Sequence, residues 1–301
     1  MFPSGRFPGK LEEHCGISVP HSAARDMTEK HAKEIKDNER LRSVIPADSV
    51  VEYVIAETDG TMIPIADIRD EVTGGDMADR RRTRKGRWKE ARLTLTRPEG
   101  SVNPFFGCTP GSPDEAGGHL LNCAIRSGPG QNTKVHCVGD GAPWVAGQAD
   151  QVFGEQSGFL IDFYHLCDYL SSALKICAPD DYANFSDRQK QLMKENQVSV
   201  VPEELRPHIE PDSVPDEKAP VRCCHRYVRN RPGQSDYKGA SENGLPTGPG
   251  EIESAHRYII QKRLKIAGVW WKEDNAQNII SLRVLRANGD WEDYWKNKKA
   301  A

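Results

Sequence analysis

No stretch of the chain approaches the about 18 consecutive apolar residues that a membrane-spanning helix requires. The opening MFPSGRFPGKLEEH likewise has no apolar core of the signal-peptide kind. An excess of positive charge is also missing: 41 Lys and Arg against 44 Asp and Glu leave a formal charge of -3. The chain as a whole is therefore no polycation, and any contact with a polyanion must come from a local patch. Its eight cysteines are irregularly spaced and form no disulfide framework. Cys108, His119, Cys123 and Cys137 match no compact zinc pattern. These absences predict a cytoplasmic protein with reduced thiols and no membrane partner.

What is present is organised around residues 133–165, TKVHCVGDGAPWVAGQADQVFGEQSGFLIDFYH. Residues 134–139 read as a short strand running into Asp140-Gly141, and residues 143–153 suit a helix. A second apolar run, residues 158–161, ends in Asp162, with His165 three positions on. The pattern is two strands of one sheet, each delivering a carboxylate at its carboxyl end. A carboxylate there either holds a cation or stays solvated, because burying it unpaired is costly.

Upstream, residues 50–55 and 62–65 read as strands, with Asp59-Gly60 between them as a hairpin turn. Residues 91–95 predict a third strand, and the Gly- and Pro-rich residues 98–132 predict a long irregular loop. Residues 22–41 suit a helix too poor in apolar residues to carry its own core. Residues 199–220 contain Pro202, Pro207, Pro211, Pro215 and Pro220 and read as a linker. Helices are expected over about 251–266 and 275–287. At about 100° per residue, Ile252, Ala255, Ile259, Ile260, Leu264 and Ala267 form one stripe on the first of these. Glu253 lies at the flank of that stripe and Glu251 on its solvent side. Both acids also suit a helix N-terminus, so capping alone would explain them.

Several long segments in the same order are similar to the insertion-sequence transposases of the ISKra type, relatives of the Mutator-like transposases. They are TDGTMIPI at 58–65, GDGAPW at 139–144, LIDFYHLCDYL at 160–170, LPTGPGEIESAHRYIIQKRLKIAGVWW at 245–271 and LRVLRANGDWEDYW at 282–295. The resemblance spans roughly residues 10–301. It implies an α/β fold, a ribonuclease-H-like mixed sheet flanked by helices and interrupted by a helical or irregular insertion. The division it implies is an N-terminal helical remainder at 1–49, the first part of the catalytic core at 50–168, the insertion at 169–245 and closing helices at 246–301. It further implies a DDE triad of Asp59, Asp140 and Glu253 holding two Mg²⁺ ions, for which Mn²⁺ can substitute. His165 is expected to contact the scissile phosphate or to fix Asp162.

The activity implied is metal-dependent strand cleavage and strand transfer. Its partners would be the element's DNA ends and a target DNA, with homo-oligomerisation on DNA and association with the bacterial nucleoid. Arg84, Lys85, Arg87 and Trp88 in the basic run at 80–89, with Lys262 and Lys265 on the closing helix, are the expected DNA contacts. Trp270-Trp271 is expected in the core between the last two helices. The chain departs from the family at Gly248-Pro249-Gly250, where Gly-Ser-Gly is usual, and begins later than most members. A catalytically silent, truncated copy that only binds DNA or partner subunits is therefore the alternative, with a ribonuclease-H-like host nuclease a third reading.

Overall fold

The computed structural model describes residues 7–46, 51–68 and 84–300. Arg80, Arg81 and Arg82 of the basic run lie outside the described residues.

Two helices, α1 (Phe7–Cys15) and α2 (His21–Asp37), precede the strands β1 (Tyr53–Ile68), β2 (Arg84–Pro98) and β3 (Phe105–Thr109). Then follow α3 (Pro113–Arg126), β4 (Lys134–Gly139), α4 (Pro143–Phe153) and β5 (Ser157–Ile161). The sheet order is β3-β2-β1-β4-β5. β1 to β3 are antiparallel neighbours, whereas β4 and β5 run parallel to β1. Residues 163–242 are helical with short 3₁₀ turns: α5 (Phe163–Cys177), α6 (Tyr182–Lys194), α7 (Val200–Leu205), α8 (Pro220–Arg229) and α9 (Tyr237–Glu242). This stretch contributes no strand to the sheet. The chain closes with α10 (Gly250–Ala255), a π-helical turn (His256–Gln261), α11 (Lys262–Leu264), α12 (Glu273–Ala287) and α13 (Trp291–Ala300). No helix among the described residues is long and apolar enough to cross a membrane.

Alternation along β1 divides its side chains between two cores. Ile63 and Ile65 on one face join Leu93, Leu95 and Phe106 beneath Ile252, Ile259, Ile260 and Leu264 of the closing helices. Val54 and Ala56 on the other face pack with Leu120 and Ala124 of α3 and Ala149 and Phe153 of α4. Ile55 and Ile161 bind the helical segment to the sheet through Leu166, Leu170, Tyr227 and Val228.

Four sequence expectations are corrected. Asp59-Gly60 is no hairpin turn: β1 passes through it unbroken, pairing Asp59 with Leu93 and Gly60 with Arg92. Thr58, Thr61, Ile63 and Ile65 sustain an extended backbone across the pair, and Gly60 has no positive φ to turn the chain. The loop expected at 98–132 holds β3 and α3. A capping box between Ser112 and Glu115, with Pro at the start, nucleates α3 despite Gly117-Gly118. Residues 199–220 are no linker, since Val201, Pro202, Leu205 and Ala219 are buried. The closing helix ends at Leu264, so Ala267 lies in the turn beyond it and is exposed.

Candidate active site

The register of β1 and β4 sets Asp59 and Asp140 at neighbouring positions. The last β1–β4 pair is Glu57↔Val138; Asp59, still within β1, and Asp140, the first residue past β4, each stand two residues beyond it, positions that strand alternation would set on one face. That is the face covered by α10, whose Ile252 N–H donates to Glu57 Oε2 at 2.8 Å. Asp140 Oδ1 accepts the Ala142 N–H at 2.8 Å, which holds the turn after β4. Asp59 Oδ1 accepts the Gly60 N–H at 2.7 Å, and its Oδ2 lies 3.0 Å from His256 Nε2.

Asp162 caps α5, accepting the N–H groups of Tyr164 and His165. Its own N–H donates to Gly139 O at 2.7 Å, joining the β5 end to the β4 end. Burial raises the Asp162 carboxyl against the lowering pull of those N–H bonds, and the nearby negative charge of Glu253 adds to the rise. Glu253 is exposed on α10, whereas Glu251, expected on the solvent side, is half-buried and accepts from Arg97 at 2.7 Å. The His165 ring packs edge-on against Tyr169 and Tyr227 at 5.4 and 6.0 Å.

As a donor set these groups suit a hard divalent cation, which favours carboxylate oxygens. Asp140 Oδ2 and both Glu253 oxygens have no hydrogen-bond partner among the described residues, so they remain open to a metal. Yet no three His, Cys, Asp or Glu side chains among the described residues are gathered into a ready cage. Cys108, Cys123 and Cys137 are buried free thiols, and burial pushes the last two up to about 12.

Two further groups belong to this site. Glu57 is 2 % exposed, and burial is the main reason its carboxyl rises to about 7. It lies two residues before Asp59, and strand alternation would have revealed it had the turn at Asp59 not been expected. His256, 3 % exposed, carries two ring nitrogens without an aligned hydrogen bond, although Nε2 is near Asp59. Its inward position follows from helical phase, four residues after Ile252 on the same stripe, at the start of the π turn, a local widening often found at functional sites.

The expected DNA contacts divide. Trp88 is 58 % exposed and tilts against Trp270 with 5.9 Å between ring centroids. Arg87 and Lys89 are drawn to Glu273, and Arg87 also to Asp67 at 2.9 Å, so part of this patch is neutralised. Arg84 opens β2 opposite Ile68, and Lys85 opposite Asp67 is exposed. Lys262 is exposed, and Lys265 donates to Thr61 Oγ1 at 2.5 Å. Trp271 is core as expected, but Trp270 is 41 % exposed and leans on Gly86.

Glu57 makes stability depend on pH in metal-free protein. Its folded pKa is raised from 4.5 to about 7, so the native state holds the extra proton between those values. Its stabilisation is complete below about 4.5 and is lost as pH rises through 7, in total about 3 kcal/mol. Glu57→Gln should flatten that part of a urea-stability profile and be the more stable protein at pH 8. A mutant profile parallel to the wild type would show that Glu57 does not titrate there.

Fold and site define a mixed α/β protein whose central strands present neighbouring carboxylates beneath a closing helix. Residues 129–299, more than half of the chain, match the family described as "Uncharacterised protein family (UPF0236)", and the chain belongs to that family. No curated protein matches it.

Proposed function

We propose that this chain is a DNA transposase of the ISKra type, cutting and joining strands by a DDE two-metal mechanism on a ribonuclease-H-like core. The observation that carries the reading is the β1–β4 register, which sets Asp59 and the Asp140 turn at neighbouring positions, with Glu253 on α10 near enough for its charge to act on Asp162. An antiparallel β1–β3 meander extended by parallel β4 and β5 supports the ribonuclease-H-like assignment. UPF0236 is associated with transposase-like proteins, which supports the activity.

Both strand cleavage and transfer are in-line displacements at phosphorus. Two bound Mg²⁺ ions would activate the incoming oxygen and stabilise the leaving one. Asp59, on the central strand, Asp140 and Glu253 would hold them. Asp162 holds the start of α5, and His165 in its first turn is a candidate to face a phosphate. Trp88, Lys85 and Lys262 remain exposed for DNA backbone and bases.

Wild-type protein should nick DNA carrying the element's own ends in Mg²⁺ or Mn²⁺, and excess chelator should abolish nicking. Full activity in chelator would refute the two-metal chemistry. Binding those ends without cutting them under any divalent cation would instead favour the silent copy.

A further inference from the structure

The turn that carries Asp140 is gripped from outside the sheet. Tyr227 of α8 donates its hydroxyl to Asp140 O at 2.8 Å. Arg231, just past α8, donates Nη2 to Gly141 O at 3.0 Å. Two consecutive carbonyls of the Asp140-Gly141 turn thus end on side chains from α8 and the turn after it, about 90 residues later in the chain. Gly141 has φ of +78, and a Cβ there would meet Tyr227 Oη at 2.9 Å and Arg231 Nε at 3.2 Å. Glycine gives the left-handed turn and leaves room for the grip at the same point.

The gripping side chains are themselves held. The Tyr227 ring stacks on Tyr169 of α5 at 4.2 Å with an interplanar angle of 15°. The Arg231 guanidinium covers its other side, 4.3 Å from the ring centroid, and Arg231 Nη1 also bonds Tyr227 O at 3.2 Å. Tyr227 is 6 % exposed, and burial raises its phenol, so the hydroxyl keeps its proton and acts as donor. Tyr169 belongs to the helix whose cap is Asp162, and His165 of that helix touches the Tyr227 ring edge-on.

A packing role alone would need only the aromatic ring. The hydroxyl and the guanidinium add two hydrogen bonds aimed at one backbone turn, whose Oδ1–Ala142 bond sets where the other Asp140 oxygen points. We propose that Tyr227 and Arg231 are positioning residues through which the helical segment between β5 and α10 fixes the Asp140 carboxylate for metal binding. The inference rests on the function proposed above for Asp140. It makes the segment part of the active site's framework, with catalytic competence dependent on α8 being docked.

The test uses Tyr227→Phe and Arg231→Met in the full chain, with two readouts. Amide hydrogen exchange of the metal-free protein should quicken at least tenfold at residues 139–142 in both variants, with the rest of the sheet unchanged. Nicking of DNA carrying the element's ends should need several-fold more Mg²⁺ for half-maximal rate, while DNA affinity is kept. Arg231→Lys, which retains a donor, should restore part of the metal response. Unchanged exchange at 139–142, or exchange that quickens evenly across the whole molecule, would overturn the proposal. If the wild type cuts no DNA, the exchange result still decides whether the grip holds the turn, and only the transposase reading falls. Local exchange that quickens while the Mg²⁺ requirement of an active enzyme stays constant would also overturn it, since the grip would then not act on the metal site.

Discussion

Asp140→Asn should reduce DNA nicking by about 10³-fold or more while leaving the fold and DNA binding in place. The substitution keeps the side chain's size and its Oδ1 acceptor, which receives the Ala142 N–H at 2.8 Å. It removes the negative charge beside Asp59, on which the proposed metal binding depends. Loss of a metal's transition-state stabilisation is worth several kcal/mol, and about 4 kcal/mol is about 10³ in rate. DNA affinity should survive because it comes from Lys and Arg elsewhere, and it should weaken as salt rises through counterion release. Rates measured with saturating Mg²⁺ on the element's own ends decide the matter. A mutant within tenfold of wild type would remove Asp140 from the mechanism.

Trp271→Ala should cost about 3–5 kcal/mol of unfolding free energy, the usual range for truncating a buried aromatic side chain. Trp271 is 6 % exposed in the core shared by β1, β2 and the closing helices. Its backbone also continues the sheet: its N–H donates to Pro64 O at 3.1 Å and its O accepts the Ala66 N–H at 2.8 Å. Arg263 lies over its ring at 5.6 Å. Against a typical total of about 5–15 kcal/mol, such a loss threatens folding itself. Trp270→Ala is the control, because its ring is 41 % exposed and its chief partner is Trp88. It should cost about 0.5–1.5 kcal/mol, the worth of an aromatic pair. Urea unfolding of the two variants gives the comparison, and equal losses would mean that the exposed Trp pair matters as much as the core.

The chain's own order of residues determined β4, α4 and the carboxylates at the ends of β4 and β5. Their signals are local: an apolar run, a Pro at the helix start and an Asp where the strand stops. It also determined the apolar stripe of Ile252, Ala255, Ile259 and Ile260, because helical periodicity is carried by neighbours a few residues apart. The tertiary structure decided whether Asp59-Gly60 turns or extends. Pairing with Leu93 and Arg92 stabilises the extended form, and those partners lie more than 30 positions away. It decided likewise that the Pro-rich residues 199–220 pack instead of spanning, since the apolar surface that buries Val201 and Leu205 comes from other helices. His256 falls on that same stripe, four residues after Ile252, but only the fold brings its Nε2 within 3.0 Å of Asp59 Oδ2. The grip of Tyr227 and Arg231 on Asp140-Gly141 is equally invisible in one dimension. A tyrosine on an amphipathic helix reads as core, and only the docked fold gives its hydroxyl a carbonyl to meet.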